Sequence, residues 1–239
     1  MNEHKFAFIL CTNDDMYLNE CLLYLNQLHI PPQYETEILT IHDAKYMTAG
    51  YNEGMAATDA KYKIYMHQDV FIINRYFLYD ILSIFETDSS IGMIGMIGYP
   101  VVSRCGFMWR EEAVGAVPLY GTRQAYTQFD YSSYHYQLSD GICDAALIDG
   151  LMMVTCQDLP WNETDLQGWD FYDAYQSMNY LLHGYRVVVP KQNLPWFIHD
   201  DGHYLSMWNY DKYRKLFMDK YQEYLGKSYL EIRSNLFTQ

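Results

Sequence analysis

The sequence predicts an α/β fold, a mainly parallel sheet flanked by helices, and three observations carry that prediction. A chain of 239 residues, 50% hydrophobic and 19% charged, can bury the core of one α/β domain. Short apolar runs alternate with segments of helical apolar spacing, the order that builds parallel sheets with crossover helices. Several of the apolar runs end in polar residues, at the sheet edge where such folds hold their ligands.

Phe6–Cys11 is an apolar run suited to a buried strand. Thr12, Asn13, Asp14 and Asp15 follow it as a polar turn able to cap a helix. Leu18, Cys21, Leu22, Leu25 and Leu28 recur at helical spacing until Pro31 and Pro32 stop the pattern. Glu37–His42 is a second strand, with Asp43 directly after it. A helix over Tyr51 to Thr58 leads to a third strand, Tyr62–Met66, closed by His67, Gln68 and Asp69. An apolar helix near Tyr76 to Phe85 precedes Ile91–Ile97, a strand whose repeated glycines imply closely packed backbone.

From Val101 to Gly141 the pattern fades into glycine, serine and tyrosine, which reads as an insertion or a substrate-facing loop region. Ala145–Val154 resembles a strand with a polar interruption at Asp149 and Gly150. Trp169–Leu182 reads as a helix closed by Gly184, Arg186–Val189 as a strand, and Tyr210 to Tyr224 as a C-terminal helix. No linker and no repeat of solenoid period divides the chain, so residues 1–239 are expected to form one domain.

Composition narrows the ligand class. A formal charge of -14 argues against nucleic acid, whose binders carry a basic face that releases counterions. An anionic ligand would need a metal ion or helix N-termini. Five scattered cysteines without a CxxC argue against a disulfide framework and a thiolate zinc site. No apolar run approaches the roughly 20 residues of a membrane span, and the first residues lack a signal-peptide apolar core, so a cytoplasmic location is expected. The 25 tyrosines suit carbohydrate faces, although composition bias explains the count equally well.

His67 and Asp69 follow an apolar strand directly, which fixes an imidazole and a carboxylate at the sheet edge. Such a pair can ligate manganese or magnesium; alternatively His67 bonds a neighbouring loop and Asp69 caps the next turn.

Four blocks, Phe8 to Asp14, Tyr51 to Gly54, Tyr65 to Val70, and Phe171 to Asp173 continuing to Gly184 and Tyr185, stand in an order and spacing that resemble the family 2 glycosyltransferases. The chain is closest there to the branch related to the streptomycin-biosynthesis StrF-type proteins. The resemblance runs from residue 6 to about 200 and implies a GT-A fold. It implies inverting transfer from a nucleotide-diphosphate sugar to the hydroxyl of a carbohydrate or other acceptor, with a divalent metal, Mn2+ or Mg2+. Residues 1–100 would form the nucleotide-sugar half and 101–239 the acceptor half.

Residue by residue, the resemblance implies that Asp69 is the last carboxylate of the family's metal motif, with His67 replacing the first and Gln68, between them, a contact to the donor. It places Thr12 and Asn13 near the donor, Asp43 near the base or ribose, Asn52 beneath the donor site, and Asp149 beside the donor sugar or acceptor. His199 would face the metal or diphosphate, and Asp173 would be the catalytic base, with Asp170 the nearby substitute.

Plainer roles compete for several of these positions. Asn13 or Asp14 can cap a helix, Asn52 can make a helix-terminal hydrogen bond, and Asp173 suits a helix start for electrostatic reasons alone. His199, Asp200, Asp201 and His203 can be a solvated loop. Trp161, Trp169 and Trp196 can stack on a sugar or fill the core. Two other functions compete as well: a noncatalytic nucleotide- or carbohydrate-binding protein, which His67 in place of a carboxylate favours, and a metal-dependent hydrolase.

Overall fold

The computed structural model describes residues 1–111, 114, 115, 141–190, 192, 196–200 and 209–237. Most of the stretch expected to be an insertion lies outside the described residues, as do Asp201 and His203. In chain order the first elements are β1 (Asn2–Thr12), α1 (Asp15–Leu25), β2 (Glu35–His42), α2 (Met47–Ala56), β3 (Ala60–His67), β4 (Val70–Ile72) and α3 (Phe77–Thr87). There follow β5 (Ile91–Gly95), β6 (Ile97–Tyr99), β7 (Val114–Gly115), β8 (Ile142–Asp144), β9 (Leu147–Ile148) and β10 (Met152–Thr155). The chain continues with α4 (Tyr172–Leu182), β11 (Arg186–Pro190), β12 (Phe197–His199), α5 (Tyr210–Lys220) and α6 (Tyr229–Phe237).

The central sheet has seven strands in the order β2-β1-β3-β10-β5-β11-β8. β2, β1, β3, β5 and β11 run one way; β10 and β8 run against them. The sheet is thus mainly parallel, as its near-continuous apolar strands require: Phe6 to Leu10 are each at most 1% exposed, which only a strand covered on both faces achieves. α2 packs on β1 at very short range, and a side chain at Gly54 would run into Ile9. Asp14 caps α1, its carboxylate accepting from the Met16 and Tyr17 amides at 2.8 and 3.3 Å.

Several elements differ from expectation for local reasons. α2 starts at Met47, four residues early, because its buried face includes Met47 and Thr48 as well as Tyr51. The run Ile91–Ile97 breaks at Met96, sending β5 to the central sheet and β6 to a small sheet with β7 and β9. The run Ala145–Val154 also divides between sheets, because the Asp149 carboxylate accepts from the Leu151 amide at 3.1 Å and turns the chain. α4 begins at Tyr172, since Phe171 is left-handed, with φ of 64°, and cannot continue a helix backwards. α5 stops at Lys220, and α6, which periodicity does not announce, docks through buried Tyr229 and Ile232. Among the described residues no helix is long and apolar enough to cross a membrane.

Candidate active site

Parallel register brings three chain segments to one edge. Thr12 pairs with His42, and Cys11 with His67, so β1, β2 and β3 end level and release Asn13, Asp43 and Gln68 side by side. A cleft of about 490 Å³ opens there, at the point where the strand order passes from β2-β1 to β3. Thr12, Asn13, Asp43, His67, Gln68 and Asp69 all line it, together with Met47 and Trp169. Asp43 is exposed and left-handed, with φ of 55°.

Gln68 is committed to the protein's own loop. Its Oε1 accepts from the Thr12 hydroxyl at 2.7 Å and from the Asn13 and Asp14 amides at 3.0 and 3.1 Å. Its Nε2 donates to Asn13 Oδ1 at 2.5 Å. Gln68 therefore ties the first loop to the end of β3, and its amide shapes the cleft wall.

The second feature is a metal-competent cluster. One ligand atom from each of His67, Asp69 and His199 lies within 4.8 Å of the others. His199 reaches the site because β12 pairs antiparallel with β4, setting His199 opposite Val70, and the Asp200 amide donates to the Asp69 carbonyl at 2.9 Å. Asp69 Oδ1 faces His199 Nε2 at 3.5 Å and His67 Nδ1 at 3.9 Å, yet it is buried without a hydrogen bond among the described residues. A buried carboxylate oxygen whose nearest donors stand this far off is costly. Two imidazole nitrogens and one carboxylate oxygen around a shared space are a chemically fitting set for a divalent cation.

Burial would raise the Asp69 carboxyl, but His199 and then His67 outweigh it and hold the group below its ordinary value. Burial, reinforced by His199 and opposed by Asp69, holds His67 below the usual histidine range, and a neutral imidazole is the form that ligates metals. The Tyr172 hydroxyl meets His67 Nε2 at 2.5 Å, leaving Nδ1 turned toward Asp69. Tyr172 was not singled out from the sequence.

Tyr172 in turn rests on the β9–β10 turn. A Cβ on Gly150 would lie 2.6 Å from Tyr172 Cζ, so only glycine admits the ring. The Gly150 amide donates to Asp173 Oδ2 at 3.0 Å, and the Ala174 amide to Oδ1 at 2.7 Å. Burial, with the nearby negative charge of Asp149 second, pushes the Asp173 carboxyl up to about 7. Asp170, at the bend before α4, is half-buried, and burial raises its carboxyl too.

Asp149 lies close enough for its charge to act on Asp173, and neither of the two lines the cleft. Asn52 is not brought to the cleft. Its amide accepts from the Trp161 N–H at 2.9 Å and donates to the Trp161 carbonyl at 3.0 Å and to Glu163 at 2.6 Å, a structural clasp on the loop after β10. Trp161 is 3% exposed between Tyr51 and Tyr65 and fills the core, while Trp196, half-buried, packs against that core edge-on to Phe77. Trp169 is 51% exposed and lines the cleft. That lining includes two carboxylates, Asp43 and Asp69, and, among the described residues, no lysine or arginine.

Comparison with solved structures shows the same GT-A architecture. Mannosyltransferase PcManGT from Pyrobaculum calidifontis, in complex with GDP-Man and Mn2+, superposes with a TM-score of 0.56 at 9% identity, over 99% of this chain and 70% of that one. S. aureus TarS 1-349 gives 0.57 at 10% identity, over 98% of this chain and 70% of that one. The same fragment in complex with UDP-GlcNAc gives 0.52 at 14% identity, over 98% and 71%. A search of curated protein sequences found no significant match. A family model described as "Glycosyltransferase like family" matches residues 7–221, which include the cleft and the His67–Asp69–His199 cluster, and the chain therefore belongs to that family.

Proposed function

We propose that the protein is an inverting glycosyltransferase that moves a sugar from a nucleoside-diphosphate donor to a hydroxyl group of a carbohydrate or other acceptor. The observation that carries this reading is the buried Asp69 oxygen, facing two histidine nitrogens at the end of a cleft whose lining, among the described residues, has no lysine or arginine. A dianionic diphosphate cannot settle beside Asp43 and Asp69 unless a cation accompanies it. His67, Asp69 and His199 would hold that cation, Mn2+ or Mg2+, and it would neutralise charge growing on the departing diphosphate. The fold shared with a mannosyltransferase solved with GDP-Man and Mn2+, and with TarS solved with UDP-GlcNAc, supports a donor of this class. The His67-Gln68-Asp69 form of the metal motif supports a place near the StrF-type branch.

The remaining work falls to the chain's own groups. Thr12 and Asn13, held by Gln68, and Asp43 would bind the nucleoside, so that residues 1–100 supply most of the donor contacts and 101–239 most of the acceptor side. Asp173 serves as general base. It takes the proton of the acceptor hydroxyl as that oxygen attacks the anomeric carbon from the face opposite the leaving group. The new glycosidic bond forms as the carbon–oxygen bond to the diphosphate breaks, which inverts the centre. A carboxyl near 7 is matched to this task at neutral pH, since an appreciable fraction is ionised and still basic.

The test is incubation with a panel of nucleotide sugars and Mn2+, following release of nucleoside diphosphate and appearance of glycoside. Release that depends on Mn2+ and disappears in Asp69→Asn is the expected result. Nucleotide and metal binding without transfer or hydrolysis across the panel would instead indicate a noncatalytic binder.

A further inference from the structure

The strand order gives the cleft two ends. The His67–Asp69–His199 cluster follows β3, Asp43 follows β2, and β1 with Thr12 lies between. Two strand spacings, roughly 10 Å, separate a cation end from the end that holds Asp43.

The loop before α4 is fastened at the Asp43 end. The Met47 amide donates to the Gly168 carbonyl at 3.1 Å, and the Thr48 hydroxyl to the Leu166 carbonyl at 2.8 Å. Tyr213 of α5, itself 1% exposed, closes over Gly168 so tightly that a Cβ there would lie 2.8 Å from its Cζ. Trp169 is therefore presented from a pinned backbone, sharing the cleft lining with Asp43 and Met47, and keeps 51% of its surface open. A half-exposed indole carried into a cleft by a pinned backbone is a surface suited to a flat partner.

We propose that Trp169 stacks on the nucleobase of the donor, so that the base is held by an aromatic wall contributed from the acceptor half of the chain. This rests on the glycosyltransferase reading above. The alternative, a sugar ring on Trp169, requires the donor to lie the other way round, with its diphosphate beside the Asp43 carboxylate and away from the histidines. Charge excludes that pose. Stacking also suits a lining without lysine or arginine among the described residues, because a base presents an uncharged face and gives affinity that does not depend on its identity. Asp43, an acceptor only, is left to take a ribose hydroxyl or a base N–H.

The experiment compares two probes in the wild type, Trp169→Ala and Trp169→Phe by calorimetry with Mn2+ present: nucleoside diphosphates, and inorganic pyrophosphate, which carries no base. Trp169→Ala should weaken nucleoside diphosphates about 5- to 150-fold, the weight of one base–aromatic stack. It should leave pyrophosphate within about twofold, and Trp169→Phe should recover most of the loss. Unchanged nucleoside diphosphate binding in Trp169→Ala overturns the proposal. Equal loss for both probes also overturns it, because Trp169 would then act on the phosphate end or on the fold. A wild type that binds pyrophosphate–Mn2+ but no nucleoside diphosphate removes both this assignment and the transferase reading, whereas nucleotide-dependent transfer with an insensitive Trp169→Ala removes this assignment alone.

Discussion

Asp173→Asn should remove the loss of stability that the wild type suffers as pH rises, while it slows transfer by about 10²- to 10⁴-fold. The carboxyl is 8% exposed, and burial with the charge of Asp149 raises it from 3.8 to about 7. Between those values the native state binds a proton that the unfolded state has already released. Stability therefore falls as pH rises from about 4 through about 7, and stays reduced above. The rise from 3.8 to about 7 is worth about 4 kcal/mol.

Asparagine removes the charge but turns its donor-only NH2 toward one of the two backbone amides that bond Asp173. The variant should therefore lie about 1–3 kcal/mol below the wild type near pH 4 and gain on it by up to about 4 kcal/mol as the pH rises to about 8. Urea unfolding followed by circular dichroism at several pH values measures the difference directly. In parallel, the wild-type kcat/KM should rise through a pKa near 7, and the variant should be slower by about 10²- to 10⁴-fold without that limb. A stability difference that does not change with pH would refute the buried-charge argument, and unchanged turnover would remove Asp173 as base.

Three further substitutions follow from individual contacts. Gln68→Met removes the acceptor of three hydrogen bonds that order Thr12 to Asp14; it should cost roughly 1–3 kcal/mol in denaturant unfolding and raise the donor KM more than it lowers kcat, with Gln68→Glu restoring much of both. Tyr172→Phe frees His67 Nε2 and should weaken Mn2+ about 10- to 100-fold, seen by paramagnetic resonance of free Mn2+, with little change in melting temperature. Gly150→Ala drives a methyl into the Tyr172 ring and should cost roughly 1–3 kcal/mol while weakening Mn2+ as Tyr172→Phe does; a variant with native Mn2+ affinity would show that the ring does not position His67.

The sheet edge was legible in the sequence because local pattern controls it. Apolar runs fixed β1, β2 and β3, and the polar residues that follow each run are the ones released into the cleft: Asn13, Asp43, Gln68 and Asp69. What the sequence hid depends on contacts between distant segments. His199 joins Asp69 only because β12 pairs with β4, two strands of three residues each. Gln68 looked like a donor contact until its partners, more than 50 positions earlier, came into view. Asn52 looked similar and proved to clasp a loop 109 residues away. The break at Met96 and the early start of α2 have the same cause, since burial against distant elements overrides local propensity.

The central claim is that this cleft takes a nucleoside diphosphate only with a divalent cation held by His67, Asp69 and His199. Calorimetric titration of nucleoside diphosphates with and without Mn2+, in the wild type and in Asp69→Asn, tests it most directly. Binding that requires Mn2+ and is lost in Asp69→Asn is the predicted result. Equal affinity with and without Mn2+, or full affinity in Asp69→Asn, would contradict it.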